Sequence, residues 1–233
     1  MKRVKKVAIG IFLLGQAISG AAYSATVTLT GNTVDFNFDD SLLGLFGQAS
    51  VAGDSLYFTP VDFAAKSSNG AGYGFTHETM NIKVKAHDGW SFSSMGLMER
   101  GDYLLLGAGG SVDVTGQIRV FDTARPLTEL TDNIQTTSPL NLSGVPTHNW
   151  VANAGVDLSD WSNTRAVNVT VENLLIASPG ASSSLAFVEK KYMGLTPFMT
   201  PTTPVPEAET YGMMLAGLGL VGWMTRRRRT LSA

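Results

Sequence analysis

The sequence predicts an all-β protein: an antiparallel β-sandwich, with the jelly-roll among its forms, carried between an N-terminal signal peptide and a short C-terminal transmembrane helix. Three observations predict it. Between residues 25 and 193 apolar and polar side chains alternate with period two in short runs. Those runs are separated by Gly, Asp, Asn and Ser, which favour turns. No stretch there keeps a helical period for more than about ten residues, so no crossover helices are at hand to make a parallel sheet.

Taken in order, residues 1–24 begin with Lys2, Arg3, Lys5 and Lys6, continue through the apolar run 7–15, and end with Ala22 and Ser24 at the minus-three and minus-one positions of a cut before Ala25. This is the pattern of a secretory signal peptide, a substrate of signal peptidase. Strands are expected at 26–30, 33–38, 56–59, 78–86, 112–121 and 185–192, with a further one around Val167, Val169 and Val171. Met80, Ile82, Val84 and Ala86 fall on one face, as do Val112, Val114, Ile118 and Val120. The segment 122–162, with Pro126, Pro139 and Pro146, reads as a long connection holding one or two short strands. Residues 194–204 carry three prolines and four threonines and read as an extended Pro/Thr-rich linker, a stalk of about 3 Å per residue. The passenger domain is thus 25–193, followed by a tail segment 205–229 and the last residues 230–233.

Composition narrows the function classes. Outside the two targeting ends, residues 25–204 hold 9 basic against 17 acidic side chains, a net charge of about −8. That argues against nucleic acid, which needs a basic patch. The chain has no cysteine, which excludes a disulfide scaffold, thiol catalysis and a Cys-ligated metal.

Several short patterns point to chemistry, and their context removes most of them. Gly53-Asp54-Ser55-Leu56 spells an esterase nucleophile block, but Ser55 leads into a strand and none of His77, His87 or His148 follows an Asp by three residues; a Gly-Asp turn is the simpler reading. Gly107-Ala108-Gly109-Gly110 is followed by a strand where a phosphate loop needs a helix, so a hairpin turn is expected. Arg100-Gly101-Asp102 is read as a turn. The three histidines are too far apart for a sequence-local metal site. Asp35, Asp39 and Asp40 form an acidic cluster that matches no calcium loop. Trp90, Trp150 and Trp161 offer faces for sugar stacking, yet aromatic residues of a sandwich mostly fill its core. Neither a catalytic residue nor a metal ligand nor a cofactor site is assigned.

The tail reads Val205-Pro206-Glu207, then an uncharged run that includes Tyr211, Leu215, Gly217, Leu218, Gly219, Leu220, Val221 and Trp223, then Arg226, Arg227, Arg228 and Arg229. Fourteen helical residues would reach roughly 21 Å against about 30 Å of hydrocarbon, a marginal span. Tyr211 and Trp223 would sit at the two headgroup layers, and the arginines would stop transfer on the cytoplasmic side. The order of motif, Gly-rich apolar run and arginine cluster resembles the PEP-CTERM sorting tail of bacterial exported proteins, with Ala208 where that family usually has a third-position proline. The resemblance implies recognition by exosortase, a membrane transpeptidase that cuts near the motif, and delivery to the envelope or the extracellular polysaccharide matrix. It implies a route and no passenger activity. The expected protein is therefore a non-enzymatic exported one, with the lipid bilayer, exosortase and signal peptidase as partners and no nucleic acid. A surface module that binds carbohydrate, calcium or ice is the alternative.

Overall fold

A computed structural model describes residues 26–161, 164–202 and 212–220. Among the described residues, thirteen strands form two antiparallel sheets. The first has the order β1 (Thr26–Thr30), β2 (Val34–Asp39), β6 (Gly74–Ala86), β12 (Ala166–Ser178), β8 (Ser111–Asp122), β9 (Arg125–Asn133). The second runs β10 (Gln135–Thr136), β11 (His148–Asp157), β7 (Trp90–Leu106), β13 (Leu185–Pro201), β4 (Ser55–Thr59), β3 (Gln48–Ala52), and β5 (Ala64–Ser68) also pairs with β13. The sandwich expected from the alternation is what the chain forms, and Met80, Ile82, Val84, Ala86, Val112, Val114, Ile118 and Val120 all face the core. Each of the Met, Ile and Val side chains among them contributes about 1.5–3 kcal/mol on removal from water, offset largely by chain entropy.

Four expectations need correction. The segment 122–162 is not a loose connection: β9 and β11 are nine and ten residues long. Pro126 is accommodated because β9 is an edge strand, where a missing N–H breaks no ladder on the open side. Residues 194–201, expected to belong to an extended linker, are instead the second half of β13, paired with β7 from Gly194↔Met98 to Pro201↔Trp90 with one bulge between Phe198 and Met199. Its prolines fit because β4 pairs only Met193, Gly194 and Leu195, which leaves β13 one neighbour beyond that point.

Arg100-Gly101-Asp102 is no turn; it lies within the 17-residue strand β7. Gly101 stands opposite Trp150 of β11 and Lys190 of β13, and the indole covers the place where its side chain would be. The glycine-rich 107–110 segment makes no hairpin either. It carries the chain from β7 in one sheet to β8 in the other, with Gly107 and Gly109 at positive φ.

The turn expected at Gly53-Asp54 is present between β3 and β4, with Gly53 at φ 61°. The Asp54 carboxylate accepts from the Thr33 N–H at 2.7 Å and the Thr33 hydroxyl at 2.8 Å, tying this turn to the one between β1 and β2.

One fully buried ion pair lies between β7 and β13. Lys190 and Glu99 are both fully buried and bond at 2.7 Å. A bulge after Lys190 sets the register so that Lys190 and Met193 both point inward.

Candidate functional site

The outer face of the second sheet carries a groove of about 540 Å³. Its floor is made by two glycines that face one another, Gly155 of β11 and Gly96 of β7. A strand residue without a side chain leaves backbone open to close approach. The Phe198 ring leans across from β13, and its Cε2 lies 3.2 Å from the position a Gly96 Cβ would take. A side chain at Gly96 would push the ring aside; its absence lets the ring cover the sheet while Phe198 stays 54 % exposed. The hydroxyls of Ser93, Ser94 and Ser159 and the carboxylate of Asp157 surround it.

This face is held in place by its own polar bonds. Ser93 donates to the Phe198 carbonyl at 3.0 Å, and the hydroxyls of Ser55 and Thr196 pair at 2.8 Å beside the groove. Asp157 accepts from the Ser159 N–H at 2.9 Å, and that bond holds its carboxyl below the usual range, so it is ionised at neutral pH. Asp157 is the groove's one charged lining residue. A flat apolar ring with hydroxyls and a single carboxylate at its margin can stack on an apolar ring face and exchange hydrogen bonds with neighbouring hydroxyls.

The opposite face, on the first sheet, bears a larger groove of about 760 Å³ lined by Asn37, Asn81, Lys83, Asn168, Thr170 and Phe121, among others. Its amides are engaged by neighbours: Thr28 donates to Asn37 and Thr170 to Asn81, each at 2.6 Å.

The patterns singled out in the sequence fall as follows. Trp150 and Trp161 are core residues and Trp90 is half-buried. Trp150 donates its indole N–H to the carbonyls of Asp102 and Glu189 at 3.2 and 3.1 Å. His77, His87 and His148 lie apart, and among the described residues no group of three metal-ligating side chains occurs. His87 contacts the Asp35 carboxylate at 3.1 Å and the Asn32 carbonyl at 3.2 Å. Its hydrogen bond to Asp35 raises the imidazole pKa and lowers that of the carboxyl. Asp39 is spent on a local cap, accepting from the N–H and hydroxyl of Ser41. Ser55 bonds to Thr196. Phe198, by contrast, escaped the sequence reading because Thr-Pro-Phe-Met-Thr-Pro reads as a stalk; a lone aromatic between prolines was the one signal that could have marked it.

The targeting ends lie mostly outside the described residues, including Ala22, Ser24, Ala25, Val205, Pro206, Glu207, Tyr211, Val221, Trp223 and Arg226 to Arg229. Residues 212–220, with Leu215, Gly217, Leu218, Gly219 and Leu220, form a helix whose side chains are exposed. Among the described residues no helix is long and apolar enough to cross a membrane.

Fold and tail together define a class: an all-β passenger followed by a C-terminal sorting signal. Residues 204–229 match the family model of the PEP-CTERM protein-sorting motif, so the chain carries that motif at its tail. The motif implies an exported protein that is sorted by exosortase and associated with the membrane during sorting. No curated protein matches the sequence. Among solved structures, a carbohydrate-binding module, TmCBM61, in complex with beta-1,4-galactotriose is similar at 9% identity, covering 76% of this chain and 88% of that one, with a TM-score of 0.26. Infectious bursal disease virus structures are similar at 12% identity for the Gt strain and 13% for the Gx strain. They cover 75% and 72% of this chain, 51% and 48% of their own, with TM-scores of 0.23 and 0.18. At these TM-scores the likeness carries no argument about function.

Proposed function

We propose that the protein is exported through its signal peptide and sorted by exosortase into the cell envelope or the extracellular polysaccharide matrix. Its passenger acts there without catalysis, by holding a neutral polysaccharide against the Phe198 face. The single observation that carries the passenger's role is the half-exposed Phe198 ring covering Gly96 in a groove rimmed by hydroxyls. An aromatic stack is worth about 0.5–1.5 kcal/mol beyond the area it buries. The passenger's net charge of about −8 and the Asp157 carboxylate oppose a polyanion and leave a neutral glycan as the fitting partner.

Affinity gel electrophoresis of the mature protein in gels containing neutral or anionic polysaccharides tests this. A neutral glycan is expected to retard the wild type, and Phe198→Ala is expected to weaken retardation about tenfold, the equivalent of about 1.4 kcal/mol. The thermal midpoint should stay nearly unchanged, because the ring is on the surface. Equal retardation of wild type and variant, or retardation by polyanions alone, would overturn the assignment.

A further inference from the structure

We infer that Lys190 and Glu99 condense to an intramolecular amide that staples β13 to β7 inside the core. The inference stands apart from the proposed polysaccharide role and rests on the arrangement of the pair. Both side chains are fully buried, and Lys190 Nζ lies 2.7 Å from Glu99 Oε2. As an ion pair the arrangement is poorly satisfied. Glu99 Oε1 has no hydrogen-bond partner, although an ionised carboxylate seeks several. Among the described residues the ammonium otherwise faces the rings of Phe63 at 4.9 Å and Phe46 at 5.9 Å. Two charges held dry with one bond between them cost more than they return.

The surroundings favour the free amine of Lys190 and then condensation. Burial drives Lys190 toward its free amine, against the pull of Glu99. The ammonium proton passes to the carboxylate, giving an amine and a carboxylic acid. The amine lone pair attacks the Glu99 carbonyl carbon, the new N–C bond forms as the C–OH bond breaks, and the hydroxyl leaves as water with a proton from nitrogen. Nothing is oxidised or reduced, and no other reactant is needed. Two adjacent strands already hold the reacting groups within hydrogen-bond distance, and such placement supplies much of what the uncatalysed reaction lacks. Met193 and Ala152, the cross-strand neighbours of Glu99, are both buried, as is Gly101, so returning water has little access to reverse the step. The linkage would give an exported chain without cysteine a covalent tie between the two longest strands of one sheet.

The test is tryptic peptide mapping and tandem mass spectrometry of the full-length protein expressed in its own host and purified under denaturing conditions. The expected product is a branched peptide joining the segments that contain Glu99 and Lys190, lighter by one water, about 18 Da, with cleavage after Lys190 abolished. Glu99→Ala should restore cleavage after Lys190 and remove the mass deficit. Separate, unmodified peptides from the wild type would overturn the inference, whether or not the variant folds. A deficit of the same size mapped to any other residue pair would overturn it as well.

Discussion

Replacing Gly101 with alanine should be among the most damaging single-methyl additions in this protein. An ideal Cβ there would lie 1.9 Å from the Glu189 carbonyl oxygen and 2.7 Å from two atoms of the Trp150 ring. Neither obstacle is the free end of a flexible side chain. The carbonyl belongs to the backbone of β13, and the indole is pinned by its bonds to the carbonyls of Asp102 and Glu189. Overpacking of this kind costs about 1–3 kcal/mol, and displacing the indole leaves a buried donor unpaired for about 1–3 kcal/mol more. The expected loss is thus about 2–6 kcal/mol, or a fall of roughly 10 °C in thermal midpoint for a domain of this size. Urea unfolding of the mature protein, followed by tryptophan fluorescence, reads it directly. Gly155→Ala is the internal control, since a Cβ there meets nothing closer than 3.4 Å and should shift stability by under about 1 kcal/mol. Equal effects of the two substitutions would refute the reasoning.

The remaining predictions concern charge. Asp35 raises the pKa of His87, so the His87 contribution to stability is fully present below the unfolded value of about 6.5 and is lost as pH rises through the folded value. The Asp35 carboxyl is lowered, so its share is present above about 3.9 and is lost as pH falls through the folded value. The difference in urea midpoint between wild type and His87→Ala should therefore be largest in mildly acidic solution and shrink toward pH 9; a pH-independent difference would refute the pairing. At the tail, changing Arg226, Arg227, Arg228 and Arg229 to glutamine should reduce the precursor retained in the membrane during sorting. Cell fractionation showing unchanged retention would contradict the stop-transfer role.

Legibility of the fold followed the strength of local alternation. β6 and β8 announced themselves because every second residue is apolar and the intervening ones are polar. β7 did not: Glu99, Gly101 and Asp102 look like loop residues, and their burial depends on Lys190, Trp150 and Lys191, which arrive from distant strands. No local window holds that information. The second half of β13 was hidden by Pro197 and Pro201, which read as linker in sequence and are tolerated only because β4 stops pairing at Leu195. Misplacing that strand also hid Phe198. The sorting tail was the reverse case, a short ordered motif whose meaning needs no tertiary partner, and the family match covers the same residues.

That β13 extends to Pro201 has a mechanical consequence. Phe198 lies only a few residues before the sorting motif, on the strand that leads directly into it. Under the proposed function, a polymer held at Phe198 while the tail is still in the membrane would pull through Met199, Thr200, Pro201 and Thr202. The sandwich would serve as the frame that keeps the gripping residue in position, while a single short stretch of backbone transmits the load.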